Sequence, residues 1–385
     1  MSDLLQRYQQ MASTDHGAAR SLPFEVYRDA EVFNLEVKNI YHSDWVFVCS
    51  EAELPNPGDY FALDLAGEAI VLLRDQDGQL RVLSNLCRHR GTQLLDEGFG
   101  QVGKLIVCPY HAWSYDNSGA LKATPFTIEN EIDKAAHCLP QYHLETILGL
   151  VFVNLSDNPM PFEQRFEGLE AWASVFEPSR FVEATASSEE TWQANWKLAM
   201  ENAMESYHLF KVHKETLETI TPSKQAYYIA GSSEWTLTGG AMLQQEGLLA
   251  KWFKGDHPEV YHHYLLISLP PNFVAIMSWD SFGWLCTLPI DANTTIIRAG
   301  AQVEAGYGGE DSATREFTEA FFAEDKWICE RVHKGMRSNL GEGGRLVEME
   351  RPVIDFHHFL ANRMFGTATA AYFENPEDNP FLENR

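Results

Sequence analysis

Two short cysteine–histidine pairs constrain this chain more than any other feature of its sequence. Cys87 is followed two residues later by His89, and Cys108 is followed three residues later by His111, with 18 residues between the pairs. Each pair offers a thiolate and an imidazole, which are side chains that bind transition metals. Two loops therefore have to meet at one end of a small domain so that both pairs can hold metal together.

The sequence around these pairs predicts a small antiparallel β domain. From Trp45 onward, short runs rich in valine, isoleucine and leucine, such as residues 69–73, alternate with turn sequences at residues 56–59 and 75–78. Short strands bounded by turns that contain glycine, proline and aspartate are typical of antiparallel sheets. The two metal-binding pairs then lie on loops at the tip of this domain.

Two metal groups suit such a set of ligands. When two imidazoles replace two thiolates on one iron of a two-iron, two-sulfur cluster, the reduction potential rises to about −150 to +300 mV, against about −400 mV with thiolates alone. Such a cluster is a Rieske centre. The alternative is a structural zinc ion with two cysteines and two histidines, although zinc fingers use a different spacing. Arg90-Gly91 and Ala112-Trp113, which follow the two histidines, favour the Rieske centre.

The length of the chain indicates more than one domain. A chain of 385 residues is longer than a domain with one ordinary hydrophobic core. We predict a helical N-terminal segment at residues 1–40 that packs onto the catalytic domain, the metal-binding β domain at 41–157, and the catalytic domain at 158–385. Strand-like runs between residues 226 and 302, followed by a long helix over about 311–338, indicate an α+β fold for the last of these.

Charge and hydrophobicity exclude several classes of function. The formal net charge of −26 repels nucleic acid and anionic membrane surfaces. Residues 1–7 lack the basic start and apolar core of a secretion signal, and no apolar run approaches the roughly 20 residues that a membrane helix needs. We therefore expect a cytoplasmic protein that binds neither nucleic acid nor membranes. In that compartment its six cysteines point to metal ligation or buried thiols rather than disulfides.

A second metal site is indicated near the middle of the chain. On a helix, Asn202, Glu205 and His208 lie three residues apart and share one face. His213 follows His208 by five residues, which rotates it by roughly 140° on a regular helix. If both histidines bind one metal, the helix has to end or bulge between positions 209 and 212. The alternative is a core histidine next to an unrelated surface histidine.

A carboxylate from elsewhere has to complete this site, because two imidazoles and one carboxylate with open positions suit a non-haem ferrous ion. In the predicted long helix, Asp325 falls on an apolar stripe. The stripe consists of Phe317, Phe321, Asp325, Ile328 and Val332. A buried carboxylate is costly without a partner, and a metal removes that cost. Glu324 is the alternative third ligand, because it is next to Asp325 in the sequence.

Together these motifs resemble the large (α) subunit of the Rieske-type ring-hydroxylating oxygenases. The likeness spans nearly the whole chain from Trp45 and is carried by NLCRHRG at residues 85–91, CPYHAW at 108–113, the stretch 201–213 and the helix around Asp325. It implies an α+β fold in which a small antiparallel β Rieske domain is joined to a larger catalytic domain, an antiparallel sheet with long helices of the helix-grip type.

The resemblance implies a role for each candidate residue. The implied ligands are Cys87, His89, Cys108 and His111 for a [2Fe-2S] Rieske cluster, and His208, His213 and Asp325 for a mononuclear Fe(II). Asn202 is placed beside the iron. Glu205 takes a bridging role: in the family, a carboxylate here links a Rieske histidine of one subunit to an iron-binding histidine of its neighbour. The expected active unit is a ring, commonly a homotrimer.

Glu205 and His333 depart from the usual pattern of the family. The bridging residue is usually aspartate, and glutamate resembles the branch that oxidises quaternary ammonium compounds, such as carnitine and choline monooxygenases. His333 stands where relatives commonly carry glutamine. Aromatic residues of the second domain are candidates for a cage that holds a quaternary ammonium by cation–π attraction. They are Tyr227, Tyr228, Trp235, Trp252, Phe253, Tyr261, Tyr264 and Trp279.

These features predict a terminal oxygenase that hydroxylates a quaternary or tertiary amine with O2, including oxidative N-dealkylation. Electrons from NAD(P)H would arrive through a separate reductase with a flavin, a plant-type [2Fe-2S] cluster or both, because the chain lacks a glycine-rich dinucleotide fingerprint. One alternative is ring hydroxylation, dioxygenation or O-demethylation of an aromatic acid. The other is a Rieske electron carrier that is not an enzyme.

Overall fold

The computed structural model describes residues 1–128, 130–243, 262–306, 312–369 and 372–373. The chain divides into two compact units. One consists of Met1–Ile40 together with Pro161–Arg385, and the other of Tyr41–Met160.

The unit Tyr41–Met160 is built from short strands, all paired antiparallel. The strands are β1 (Val46–Ser50), β2 (Asp59–Leu65), β3 (Glu68–Arg74), β4 (Leu80–Ser84), β5 (Gly98–Gln101), β6 (Leu105–Val107), β7 (Ser114–Asp116), β8 (Leu121–Ala123), β9 (His143–Ile147) and β10 (Leu150–Asn154). Within its described residues they form sheets in the orders β1-β10-β9, β4-β3-β2-β5 and β6-β7-β8. The prediction of a small antiparallel β domain is confirmed.

The predicted turn at residues 56–59 shows how local sequence sets this pairing. Gly58 has φ +91°, and a Cβ atom at this position would collide with the carbonyl oxygen of Val102. Only glycine therefore allows Val102 N–H to donate to Gly58 O at 2.8 Å. The Asp59 carboxylate accepts the N–H of Asn56 at 2.7 Å and closes the turn. The turn thus brings β2 alongside β5.

The larger unit contains an antiparallel sheet of nine strands in its described residues. They are β11 (Phe181–Ala184), β12 (Ser188–Trp192), β13 (Ala226–Gly231), β14 (Thr236–Ala241), β15 (His263–Leu269), β16 (Phe273–Met277), β17 (Phe282–Asp291), β18 (Thr294–Glu304) and β19 (Tyr372–Phe373). The order is β11-β18-β17-β16-β15-β14-β13-β19, and β12 also pairs with β18. The strand-like runs predicted between residues 226 and 302 are β13 to β18, which confirms the α+β fold.

Helices accompany this sheet. They are α1 (Asp3–Ala12), α2 (Ala30–Glu36), α3 (Phe162–Arg165), α4 (Leu169–Ala173), α5 (Trp196–Ala203), α6 (Leu209–Val212), α7 (Ser312–Gly335) and α8 (Arg351–Phe365). The predicted long helix is α7. Across the described part of the chain, no helix combines the length and the apolar character needed to cross a membrane.

A buried ion pair joins the N-terminal segment to α5. Glu36 and Lys197 are both 0% exposed, and Lys197 Nζ donates to Glu36 Oε2 at 2.7 Å. The indole N–H of Trp196 donates to the same oxygen at 3.1 Å, and the hydroxyl of Tyr8 donates to Glu36 Oε1 at 3.0 Å. Burial lowers the pKa of Lys197 despite the attraction of Glu36. The lysine therefore depends on this carboxylate to stay charged.

Replacing Glu36 by glutamine should lower the free energy of unfolding by about 3–5 kcal/mol, because Lys197 would remain buried without a counter-charge. Urea denaturation of the full chain measures this change. The matched control is Glu25→Gln, which removes an exposed pair with Arg7 at 3.3 Å and should cost less than about 1 kcal/mol. Equal losses for the two variants would contradict the structural role of the buried pair.

Candidate functional site

The two cysteine–histidine pairs lie on separate loops of the β unit. Cys87 and His89 follow β4, and Cys108 and His111 lie in the connection between β6 and β7. Both cysteines are 3% exposed and belong to the core of this unit, next to Tyr115. Both histidines are exposed. The pairs therefore place thiols on the inside and imidazoles on the outside.

Hydrogen-bond donors converge on the two thiols. The thiols of Cys87 and Cys108 hydrogen-bond to each other, and Cys87 Sγ lies 3.3 Å from the Tyr115 hydroxyl. Burial raises the pKa of Cys87, whereas the pKa of Cys108 is lowered, because hydrogen bonds from the backbone N–H groups of Tyr110 and His111 and from the side chains of Cys87 and Thr92 together outweigh its burial. Donors aimed at sulfur stabilise thiolates. This is the environment that an anionic cluster with sulfur ligands requires.

The two imidazoles lie next to each other. The ring centroids of His89 and His111 are 4.7 Å apart, and the His89 ring stacks on Trp113 at 4.8 Å. Adjacent thiols below adjacent imidazoles fit a cluster in which one iron takes the thiolates and the other takes the imidazoles. The four residues thus fit a Rieske cluster, and their assignment as its ligands stays a prediction.

In the larger unit, His208, His213 and Asp325 come together. Each offers one ligand atom, and these atoms lie within 4.8 Å of one another. The Nε2 atoms of His208 and His213 lie 3.5 Å and 2.9 Å from Asp325 Oδ1. His213 is fully buried and Asp325 is 9% exposed. Two imidazoles and one carboxylate at this spacing match the ligand set of a non-haem ferrous ion.

The backbone reaches this arrangement by a different route from the predicted one. Helix α5 begins after the predicted cap Asn195, whose side chain accepts the N–H of Lys197, but it ends at Ala203. Asn202, Glu205 and His208 therefore do not share a helix face. Residues 209–212 form the helix α6, which has no bulge and ends at Val212, so the predicted helix end before His213 lies at the last position of the predicted range.

A second break, which was not predicted, lies between α5 and α6 and contains Glu205. The Glu205 carboxylate accepts the N–H groups of Tyr207 and His208 in this bend. His208 then lies at the beginning of α6 and His213 directly after its end. Their ring centroids are 5.0 Å apart. A single turn of helix between two bends thus brings the imidazoles together.

Polar neighbours hold each member of the cluster. Glu205 Oε1 lies 2.7 Å from His208 Nδ1, and the amide of Asn202 donates to Asp325 Oδ1 at 2.6 Å. Glu324, the rival third ligand, contacts the opposite nitrogen of His213, at 2.9 Å from Nδ1. It is Asp325 that lies between the two imidazoles.

The electrostatics of the cluster favour positive charge. Burial acts to lower the pKa of His208, but hydrogen bonds with Asp325 and Glu205 outweigh it and raise that pKa to about 10. Burial acts in the opposite sense on Asp325, and hydrogen bonds with both histidines lower its pKa to about 2. With Glu324 added, three carboxylates surround two imidazoles. A divalent cation bound here would offset most of this negative charge.

Two further polar residues belong to this region and had no signal in the sequence. Thr216 donates from its hydroxyl to Glu324 Oε2 at 2.6 Å, and Ser206 hydrogen-bonds to the Tyr264 hydroxyl. Both lie in irregular backbone, where no periodicity marks a side chain as inward-facing. His333, in contrast, is not part of the cluster, because its Nε2 lies 3.0 Å from Asn293 Oδ1 in the turn between β17 and β18.

The aromatic candidates are scattered. The Tyr264 hydroxyl hydrogen-bonds to Ser206, the residue that follows Glu205, whereas Tyr228 donates to Asp355 at 2.8 Å and the indole of Trp235 donates to the carbonyl of Glu167 at 3.2 Å. The hydroxyl of Tyr227 lies 3.3 Å from His263 Nδ1, and the Trp279 ring contacts Arg180. Trp252, Phe253 and Tyr261 lie outside the described residues. Of these contacts, the one made by Tyr264 leads to the segment that carries Glu205 and His208.

Family models match both units. Residues 44–142 match the Rieske [2Fe-2S] domain, and residues 170–366 match the catalytic domain of the ring-hydroxylating alpha subunit. The second match covers more than half of the chain and includes His208, His213 and Asp325.

Two characterised proteins illustrate the sequence similarity. The carnitine monooxygenase oxygenase subunit of Escherichia coli K12 is 29% identical over 365 residues, which cover 89% of this chain and 93% of that protein. The glycine betaine monooxygenase oxygenase subunit of Chromohalobacter salexigens is 34% identical over 200 residues, 52% of this chain. That match spans only 44% of the length of the glycine betaine enzyme.

Solved structures share the fold over nearly the whole chain. A quaternary ammonium Rieske monooxygenase superposes with a TM-score of 0.81 and 25% identity, covering 92% of this chain and 98% of that chain. Naphthalene 1,2-dioxygenase from Rhodococcus sp. superposes with a TM-score of 0.77 over 95% of this chain and 99% of that chain, at 19% identity. The second likeness concerns the fold alone.

Proposed function

This chain belongs to the ring-hydroxylating alpha-subunit family, and from that premise we propose that it is the terminal oxygenase component of a Rieske system that hydroxylates a quaternary or tertiary amine. The observation that carries the oxygenase assignment is the convergence of His208, His213 and Asp325 within 4.8 Å. A Rieske electron carrier would have no use for this second ligand set.

The proposed metal ligands follow the two clusters described above. They are Cys87, His89, Cys108 and His111 for the [2Fe-2S] cluster, and His208, His213 and Asp325 for Fe(II). When bound, the cluster supplies electrons one at a time, and the ferrous ion supplies open positions at which O2 is activated. The protein has to hold the three iron ligands in a fixed orientation and to direct electrons from the cluster to the iron.

Asn202 and Glu205 do this orienting work at the iron site. The Asn202 amide donates to Asp325 Oδ1 and limits rotation of that carboxylate. Glu205 accepts from His208 Nδ1, which leaves Nε2 of that ring to face Asp325. We further assign to Glu205 the link to a cluster histidine of a neighbouring subunit, within a homotrimer or another ring. Its position at the bend before α6, rather than inside a helix, supports this role.

The charge of the site supports a cationic substrate. Asp325, Glu205 and Glu324 carry three negative charges, which outweigh the two positive charges of a ferrous ion. The loaded site therefore keeps a net negative charge, which attracts an ammonium group. Two of the relatives carry the names carnitine and glycine betaine monooxygenase, and these are quaternary ammonium compounds. Tyr264 is available for a cation–π contact.

Electrons from NAD(P)H reach this chain, in our proposal, through a separate reductase that carries a flavin, a plant-type [2Fe-2S] cluster or both. We place the system in the cytoplasm. The product of hydroxylation next to the nitrogen would be a carbinolamine, whose collapse completes an N-dealkylation.

Glu205→Gln should leave both metal groups bound but reduce electron delivery to the iron to the background rate, because the amide lacks the charge that links the two subunits. Single-turnover oxidation of the pre-reduced cluster, with excess Fe(II) and substrate, measures this rate. The matched control is Glu215→Gln, which alters an exposed residue of the same segment. A normal single-turnover rate in Glu205→Gln would disprove the bridging role.

Reductase-coupled turnover of a substrate panel tests the proposed substrate class. The panel should contain betaines, aromatic acids, and a betaine isostere in which tert-butyl replaces trimethylammonium. The isostere has no positive charge and cannot make a cation–π contact worth about 2 kcal/mol. Its kcat/KM should therefore be about 30-fold lower than that of the betaine. Turnover of aromatic acids with inert betaines would instead support the aromatic oxygenase. Electron transfer without oxygenation of any member would support the electron carrier.

A further inference from the structure

Two consecutive carboxylates of α7 enclose the buried imidazole of His213. Asp325 Oδ1 lies 2.9 Å from Nε2, and Glu324 Oε2 lies 2.9 Å from Nδ1. Successive residues of a helix point about 100° apart, so the two side chains reach the ring from different sides. The His213 side chain is fully buried, so these carboxylates are its principal polar partners.

The two sides of the ring are not equivalent. On the Nε2 side, His213 shares Asp325 with His208, and the three ligand atoms form one compact group. On the Nδ1 side, the polar contacts of Glu324 among the described residues are with the ring and with the hydroxyl of Thr216. Because the imidazole separates the two carboxylates, Glu324 does not face the same point as Asp325.

The Nδ1 contact matters once a metal ion occupies the Asp325 side of the ring. Both ring nitrogens lie 2.9 Å from a carboxylate oxygen, and a carboxylate only accepts hydrogen bonds. A neutral imidazole has one N–H and one lone pair, so when Nε2 gives its lone pair to a metal ion, the hydrogen is on Nδ1, where Glu324 accepts it. The negative charge of Glu324 also makes Nε2 a stronger electron donor.

Glu324 is itself held in place. Thr216, which is 7% exposed, donates from its hydroxyl to the same oxygen that accepts from His213, at 2.6 Å. Its backbone N–H donates to the carbonyl of His213 at 3.0 Å. The segment that follows α6 thus carries both the histidine and the hydroxyl that fixes its carboxylate partner.

We propose that Glu324 is a positioning residue for the iron site, which sets the tautomer of His213 and strengthens Nε2 as a ligand, with Thr216 holding the Glu324 carboxylate in place. This inference rests on the proposed function, because it assumes that His213 binds Fe(II). It assigns different tasks to two adjacent acidic residues: Asp325 binds the metal, and Glu324 prepares a ligand for it.

Metal affinity measured without turnover tests the proposal. Anaerobic competition with a chelator gives the Fe(II) dissociation constant of the full chain, and Co(II) reports ligand geometry through its visible spectrum. Glu324→Leu should weaken Fe(II) binding by about 10–100-fold, as the loss of an outer partner of a metal-binding histidine does. Glu324→Gln should weaken it less, because its amide oxygen still accepts from Nδ1. Both variants should keep the Rieske visible spectrum, which shows that they fold.

Two further variants give the test its controls. Glu319→Gln changes an exposed carboxylate of the same helix and should bind Fe(II) like the unaltered protein. Thr216→Val should weaken Fe(II) binding less than Glu324→Leu does. Combined with Glu324→Leu, it should cause no further loss of affinity, because both changes disrupt the same series of hydrogen bonds from Thr216 through Glu324 to His213.

The outcomes separate this inference from the proposed function. Unchanged affinity in Glu324→Leu, or a full additional loss from Thr216→Val in that background, would overturn it. Loss of all binding in Glu324→Gln with normal binding in Asp325→Asn would overturn it too, because Glu324 would then be the ligand. Normal binding in both His208→Ala and Asp325→Asn would refute the iron site of the proposed function itself.

Discussion

The carboxylate of Asp325 is the point on which the catalytic unit depends. It lies almost buried on α7, where an unpaired charge would be strongly unfavourable. One of its oxygens meets the Nε2 atoms of two histidines and the amide of Asn202. These partners come from α5 and from both ends of α6. Satisfying one buried carboxylate therefore fixes three segments of the chain relative to one another.

Two further acidic residues determine which nitrogen of each histidine faces Asp325. Glu205 occupies Nδ1 of His208, and Glu324 occupies Nδ1 of His213, so both rings turn Nε2 toward Asp325. The β unit follows a similar rule, because N–H groups and the Tyr115 hydroxyl are directed at its thiols. In both sites the outer contacts orient the atoms that we propose to bind metal. The excess of carboxylates at the iron site also connects this geometry to the preference that we propose for a cationic substrate.

Much of this organisation was predictable from residue types and spacing. The two cysteine–histidine pairs and the strands β13 to β18 have a periodic or local signal. The predicted apolar stripe places Asp325 on the buried face of α7, but Val332 of that stripe is 40% exposed, whereas Cys329 and His333 are buried. The bend at Glu205 had no signal, because it depends on a side chain that accepts backbone N–H groups of irregular residues. The contacts of Glu324 and Thr216 also escaped prediction, since adjacency in sequence does not say which side of His213 each residue reaches. Helix α8 was not predicted, because residues 351–361 are all buried, including Arg351, Asp355, His357 and His358, so burial there does not follow the polarity of the sequence.

Anomalous X-ray scattering at the iron K edge, from crystals grown anaerobically with Fe(II), would locate the mononuclear iron directly. We expect an iron peak bounded by Nε2 of His208, Nε2 of His213 and the Asp325 carboxylate, with Glu324 beyond Nδ1 of His213. A peak bound to Glu324 or to Nδ1 of His213, or the absence of iron between the three proposed ligands, would contradict it.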